Sequence, residues 1–236
     1  MLLSAFLRGT GLPPVNGLSA RAGTGGLPYG DAVHRSDEID TPRGPARVEY
    51  DLPRPDPTTL LVLGHGAGGT TDAPDLLALR DAAVAAGVGV VRVTQPYRVA
   101  GRRAPAPARH LDEAWTAVAR AVLDRFRHRP TLLVGGRSSG ARVACRTARD
   151  CGAAGVVALA FPLHPPGKPE RSRAAELAAG VPVLVVNGDR DPFGVPEATA
   201  DVHVEVRPGE GHDLRRDPHG TAEVVLRWLR ARGWAG

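Results

Sequence analysis

Continuous apolar runs and segments with helical apolar spacing alternate along the chain from about residue 45 onward. The apolar runs predict strands that are buried on both faces. These strands are ARVEYDL, TTLLVLGHG, VGVVRVTQ, TLLVGG, GVVALAFP, PVLVVNG and the last one, within EATADVHVEVRPGEGH. The stretch EATADVHVEVRPGEGH is also predicted to hold a short helix before this strand. The intervening spacing predicts helices in APDLLALRDAAVAAG, PARHLDEAWTAVARAVLDRFR, ARVACRTARDCG, RSRAAELAAG and DPHGTAEVVLRWLRARG. Such alternation indicates an α/β fold, in which a mostly parallel central sheet has helices on both faces.

The first 42 residues differ from the rest of the chain. They are rich in Gly, Pro, Ser and Thr and show no sustained periodicity. We therefore expect a disordered N-terminal tail over residues 1–42, followed by a single domain over residues 43–236. The total length of 236 residues suits one domain with a packed core.

The positive net charge of +5 raises the question of a nucleic-acid partner. The basic residues are scattered along the chain, and none of them forms a run that alternates with aromatic residues. Only one of the 30 basic residues, Lys168, is a lysine, which indicates a compositional bias towards arginine rather than a phosphate-binding surface. We expect no nucleic-acid partner.

The opening MLLSAFLRGT is a poor secretory signal, because no basic residue precedes the apolar part and Arg8 interrupts it. No apolar run approaches the ~20 residues of a membrane span, so we expect no membrane partner. Cys145 and Cys151 lie in one predicted helix, ~9 Å apart along its axis, which is too far for a disulfide. Free thiols predict a cytoplasmic location.

Candidate chemistry collects where the predicted strands end, which is where open parallel sheets carry their sites. GRSSG at residues 136–140 follows the run TLLV and matches G-x-S-x-G, a strand-to-helix turn that exposes a nucleophilic serine. The positions two before and two after the nucleophile must be small. Gly136 and Gly140 meet this condition for Ser138, whereas Ser139 would have the bulky Arg137 on one side. Ser138 is the predicted nucleophile, and an ordinary Gly-rich turn is the alternative.

GHGAGG at residues 64–69 follows another buried run. It lacks the G-K-[ST] ending of a phosphate-binding P-loop. Backbone amides in such a loop suit an oxyanion hole, and we assign that role to Ala67 together with Ser139, the residue after the nucleophile. His65 is expected to hold the loop in place.

A carboxylate and a histidine follow the last two predicted strands. VVNGDRDPFG supplies Asp189 and Asp191, of which Asp191 is favoured because it lies further from the strand end and precedes Pro192. His212 follows the last strand in RPGEGHDL. A serine hydroxyl needs a base, and the base needs a carboxylate that fixes its tautomer. The order Ser138, Asp191, His212 is that of the α/β-hydrolase triad.

From about residue 45 to its end, the chain also resembles the α/β-hydrolase group that includes dienelactone-hydrolase-like proteins. More narrowly, it resembles the testis-expressed-30 / KAT8 regulatory complex subunit 3 hydrolase-like domain family in GHGAGG, GGRSSGARVA, FPLHPPGKPE, NGDRDPFG and GEGHDL. The resemblance implies an α/β-hydrolase fold and supports the triad positions. A dienelactone hydrolase carries cysteine as its nucleophile, so Ser138 argues against that particular activity.

These residues predict a serine hydrolase that cleaves an ester-like acyl bond in a small molecule without a metal or cofactor. A non-catalytic interaction domain and an acyltransferase of the same fold are the alternatives. Only about twenty residues separate Phe161 from Val183, which predicts a minimal lid and an open site. Basic loops beside it carry Arg98, His164 and Lys168, which are candidates for binding an anionic ester, unless these loops are simply solvated. The sequence makes no prediction of oligomeric state.

Overall fold

Eight strands form the central sheet of the computed structural model, which describes residues 33–236. Their order across the sheet is β1-β2-β4-β3-β5-β6-β7-β8. β1 and β2 are antiparallel to their neighbours, and the other strands run parallel, as the alternating pattern predicts. The strands are β1 (Val33–Ile39), β2 (Ala46–Leu52), β3 (Thr59–Gly64), β4 (Gly89–Thr94), β5 (Thr131–Arg137), β6 (Gly155–Leu159), β7 (Val183–Gly188) and β8 (Val202–Arg207).

Helices cover both faces of this sheet. On one face, α1 packs beside α5 over a core that includes Leu79 and Leu229, and on the other, α3 packs beside α4 over a core that includes Trp115 and Val134. The inner strands are apolar on both sides because each face is buried against helices. The helices are α1 (Pro74–Ala85), α2 (Pro96–Val99), α3 (Ala108–Leu123), α4 (Ser139–Thr147) and α5 (Pro218–Arg230).

The edge strand β1 corrects the predicted domain boundary. It pairs antiparallel with β2 along its whole length, so residues 33–42 belong to the folded unit and their assignment to the 1–42 tail was wrong. The rest of the predicted tail lies outside the described residues. The sequence VHRSDEI shows no apolar alternation because most of this strand is exposed, and of its side chains only that of Ile39 is buried.

The connection between β6 and β7 is short and carries no lid, as predicted. A single turn of 3-10 helix, Ala174–Leu177, stands where the sequence predicts one short helix, and a second turn, Pro169–Arg171, ends where that segment begins. The short helix expected before β8 is a loop, and α4 ends at Thr147, before Cys151. Cys145 and Cys151 are both free thiols. Among residues 33–236 there is no helix of the length and apolar character that crossing a membrane would require.

Candidate active site

Ser138 stands in a strained turn between β5 and α4. Its φ of 52° and ψ of −109° lie in a region that non-glycine residues rarely adopt. The turn needs glycines on both sides, because a Cβ at Gly136 or Gly140 would overlap the backbone of Gly64 at the end of β3. The close approach of two strands and a helix therefore forces the serine outward, where it is partly exposed.

A continuous hydrogen-bonded path joins the serine, histidine and aspartate predicted from the sequence. Ser138 Oγ lies 2.9 Å from His212 Nε2, and His212 Nδ1 lies 2.8 Å from Asp191 Oδ2. A carboxylate only accepts hydrogen bonds, so Nδ1 carries the proton and Nε2 is left to accept from the serine hydroxyl. The Asp191 side chain is fully buried, whereas 22% of the His212 side chain is exposed.

Asp191 and Asp189 have different partners. Oδ1 of Asp191 accepts from the Phe193 amide at 2.8 Å, and Oδ2 accepts from Asn187 Nδ2 at 3.4 Å as well as from the histidine. Asp189 is exposed, and its carboxylate instead accepts from the Gly209 amide at 2.8 Å. Of the two aspartates, Asp191 faces the histidine and Asp189 joins the loops after β7 and β8.

The loop after β3 passes beside the serine. His65 Nε2 accepts from the Gln95 amide at 3.1 Å, which requires that Nδ1 donates to the Gly66 carbonyl at 2.8 Å. Burial lowers the pKa of His65, so this ring is neutral and ties the loop to the end of β4. A Cβ at Gly66 would lie 3.6 Å from Ser138 Cβ, and Ala67, the predicted oxyanion donor, is the next and exposed residue of the loop.

The second predicted oxyanion donor, Ser139, begins α4. The first amides of a helix have no partner within the helix, and the Ser139 amide is one of these, directly after Ser138. The loop GHGAGG also fits the spacing of the dinucleotide motif G-x-G-x-x-G, but α1 begins only at Pro74, so its glycines do not open a helix as that motif requires.

The three residues predicted to bind substrate have different surroundings. Arg98 donates from Nε to the Gly69 carbonyl at 3.1 Å and thereby holds the loop after β3. The ring of His164 packs against Gly194, in the loop that carries the buried aspartate. Lys168 is exposed on the connection between β6 and β7. Within residues 33–236, no cluster of three or more His, Cys, Asp or Glu side chains is arranged so that it could hold a metal ion.

Two residues that sequence reasoning missed adjoin His212. The Phe193 ring lies over the imidazole, with 4.2 Å between ring centroids. The sequence shows Arg137 only as a bulky neighbour of the serines, yet its side chain donates from Nη2 to the His212 carbonyl at 3.2 Å. The sequence signal for Arg137 is a charged side chain at the end of an otherwise apolar buried strand, because such a charge requires partners nearby.

Comparison with known proteins agrees with this fold. The chain resembles an α/β serine hydrolase homologue from Coxiella burnetii, at TM-score 0.69 and 22% identity over 83% of this chain and 97% of that one. An α/β serine hydrolase without a lid from Xanthomonas campestris gives TM-score 0.66 and 22% identity over 88% of this chain and 97% of that one. Dienelactone hydrolase from Anabaena variabilis gives TM-score 0.67 and 15% identity over 85% of this chain and 98% of that one. At these identities the likeness shows the fold alone.

A search of curated protein sequences found no significant match. The family model described as an alpha/beta hydrolase domain matches residues 57–217, which is more than half of the chain. The match extends from just before β3 to just before α5, and so it includes the serine, the aspartate and the histidine. The chain therefore belongs to the α/β-hydrolase family.

Proposed function

We propose that the protein is a serine hydrolase that cleaves an ester-like acyl bond in a small molecule. The observation that carries this proposal is the hydrogen-bonded path from Ser138 through His212 to Asp191. Each member has the surroundings that its role needs, because the serine is partly exposed, the histidine tautomer is fixed and the carboxylate is buried.

In the proposed mechanism, Ser138 Oγ attacks the acyl carbon while His212 Nε2 takes the hydroxyl proton. The imidazolium that forms is stabilised by Asp191 and faces the Phe193 ring. The amides of Ala67 and Ser139 bind the negative charge that develops on the carbonyl oxygen. The histidine then gives its proton to the leaving group, and water attacks the acyl-enzyme in the same way. An acceptor other than water would make the same site an acyltransferase.

We further propose that the preferred esters are anionic and that, within the α/β-hydrolase family, the chain belongs with the testis-expressed-30 / KAT8 regulatory complex subunit 3 group. Arg98 lies in the short helix α2, directly after β4, and the loop after β6 carries His164 and Lys168, of which Lys168 is exposed. Such basic segments raise the local concentration of anions, an effect that added salt screens. The free thiols support a cytoplasmic location.

Hydrolysis of p-nitrophenyl esters tests these proposals. The wild type is expected to cleave short-chain esters, and Ser138→Ala to lose activity by on the order of 10⁴-fold or more. An ester with a terminal carboxylate should give a higher kcat/KM than a neutral ester of equal size at low salt. Lys168→Ala should raise KM for the anionic ester only. Equal kcat/KM values for the two esters would contradict the anionic preference, and hydrolysis unaffected by Ser138→Ala would contradict the proposed function.

A further inference from the structure

The guanidinium of Arg137 lies between three segments around the proposed active site. Its Nε lies 3.1 Å from Oδ2 of Asp75, in the first turn of α1. Its Nη2 donates to the main-chain carbonyl of His212 at 3.2 Å. Its Nη1 faces the loop after β3, where a Cβ on Gly66 would lie 3.3 Å away. One side chain therefore bonds to the loop that carries the histidine, pairs with a buried carboxylate and lies beside the loop that carries Ala67.

The partner carboxylate of this arginine is fully enclosed. Asp75 is 0% exposed, and burial raises its pKa to about 6, while Arg137 and the first amides of α1 offset part of that effect. Asp213, next to the histidine, is the other charged residue that acts on this carboxyl. Removing one partner of a buried ion pair leaves an uncompensated charge, so the pair is costly to disturb.

We propose that Arg137 is a positioning residue for the reaction assigned above, with Asp75 as its counter-charge. Arg137 is covalently joined to Ser138, and its guanidinium donates to the backbone of the His212 loop and lies beside Gly66 in the loop after β3. It thereby fixes the distance from the nucleophile to the base. It acts through the main chain of the histidine and not on the imidazole ring.

The geometry explains why an arginine suits this position. A planar guanidinium offers donors in several directions from one rigid group, whereas a lysine ammonium is a single point charge. The histidine loop turns sharply, since Leu214 has a φ of 45°, so the Nη2 bond holds the main chain immediately before this turn. Displacing a catalytic group by about 1 Å costs about 10²-fold in rate, which sets the effect to expect when this contact is lost.

The proposal rests on the proposed function, and three variants test it. Arg137→Met should lower kcat roughly 30- to 100-fold with KM changed less than about threefold. Arg137→Lys keeps a charge opposite Asp75, so it should regain much of the melting temperature but little of kcat.

Arg146→Met is the matched control. The side chain of Arg146 is 19% exposed against 17% for Arg137, and it pairs with Asp112 and Glu176 on the other face of the sheet. It should lower the melting temperature and leave kcat within about twofold of wild type.

Equal losses of kcat in Arg137→Met and Arg146→Met would overturn the positioning role, because the effect would then be one of general packing. Full recovery of kcat in Arg137→Lys would overturn it too, since the charge alone would suffice.

A second measurement separates this role from the proposed function. The low-field proton resonance of His212 Nδ1–H reports the bond to Asp191 without any turnover. It should be present in wild type and in Arg146→Met and broadened or lost in Arg137→Met. If the resonance behaves so and no ester is cleaved, the proposed function fails and the positioning role stands. If esters are cleaved and Arg137→Met matches wild type in both readouts, the positioning role fails and the proposed function stands.

Discussion

Asp189 and Asp191 are two residues apart and have unlike environments. Asp191 has a fully buried carboxylate that accepts from the His212 ring and from a main-chain amide. Asp189 is exposed and accepts from the Gly209 amide. At the residue scale, the chemistry is set by which partners each side chain meets.

These environments predict unequal effects for the same substitution. Asp191→Asn should reduce kcat by about 10⁴-fold, because an amide stabilises the wrong histidine tautomer, as in the serine proteases. Asp189→Asn is the matched control and should cost no more than a few-fold. Steady-state kinetics on one p-nitrophenyl ester distinguishes them, and the reverse ranking would transfer the role of the acid to Asp189.

Asp75 makes a prediction about stability and pH. Its folded-state pKa of about 6 lies above the ordinary 3.8, so the folded state holds the proton more tightly than the unfolded state does. Raising the pH through this range therefore destabilises the wild type, and Asp75→Asn removes that loss. From about pH 4 to pH 7, the stability of Asp75→Asn relative to wild type should rise by on the order of 2 kcal/mol. Urea denaturation at both pH values measures this difference, and an unchanged difference would show that Asp75 titrates normally.

At the scale of elements, β1 shows why an exposed strand is not predicted from its sequence. Buried strands can be recognised in the sequence by their apolar runs, as in TLLVLG of β3 and TLLVGG in β5. β1 is an exposed edge strand held by main-chain pairing with β2 and by polar contacts such as the 2.9 Å one between His34 and Asp51, so its sequence lacks that signature.

Truncation should reveal the contribution of β1. A chain that begins at residue 43 should be less stable than one that begins at residue 33, because it loses the burial of Ile39 and the pairing with β2. We expect a difference of about 2–3 kcal/mol, or roughly 5–10 °C in melting temperature. Thermal denaturation of the two truncated chains measures it, and identical melting temperatures would show that β1 contributes nothing.

The site was predictable to the extent that its chemistry follows strand ends. Ser138, Asp191 and His212 each follow a predicted strand, and parallel strands bring their carboxyl ends to one edge. The pairing of Arg137 with Asp75 was not predictable, because it joins the end of β5 to the start of α1 and depends on side-chain direction. The same holds for Arg98, whose bond to Gly69 a sequence does not display.

At the scale of the whole molecule, the sheet assembles a site from distant parts of the chain. The serine and histidine are 74 residues apart in sequence, and β5, β7 and β8 deliver the serine, aspartate and histidine to the same edge. Helices on both faces bury the strands, and the short connection between β6 and β7 leaves this edge without a lid. The central claim is that this arrangement makes Ser138 a nucleophile.

Labelling with a fluorophosphonate, followed by peptide mass spectrometry, tests that claim most directly. The reagent forms a covalent adduct with an activated serine, and the elbow contains two adjacent serines. The account predicts an adduct on Ser138 that is lost in Ser138→Ala, retained in Ser139→Ala and strongly slowed in Asp191→Asn. An adduct on Ser139, or labelling that persists in Ser138→Ala, would contradict it.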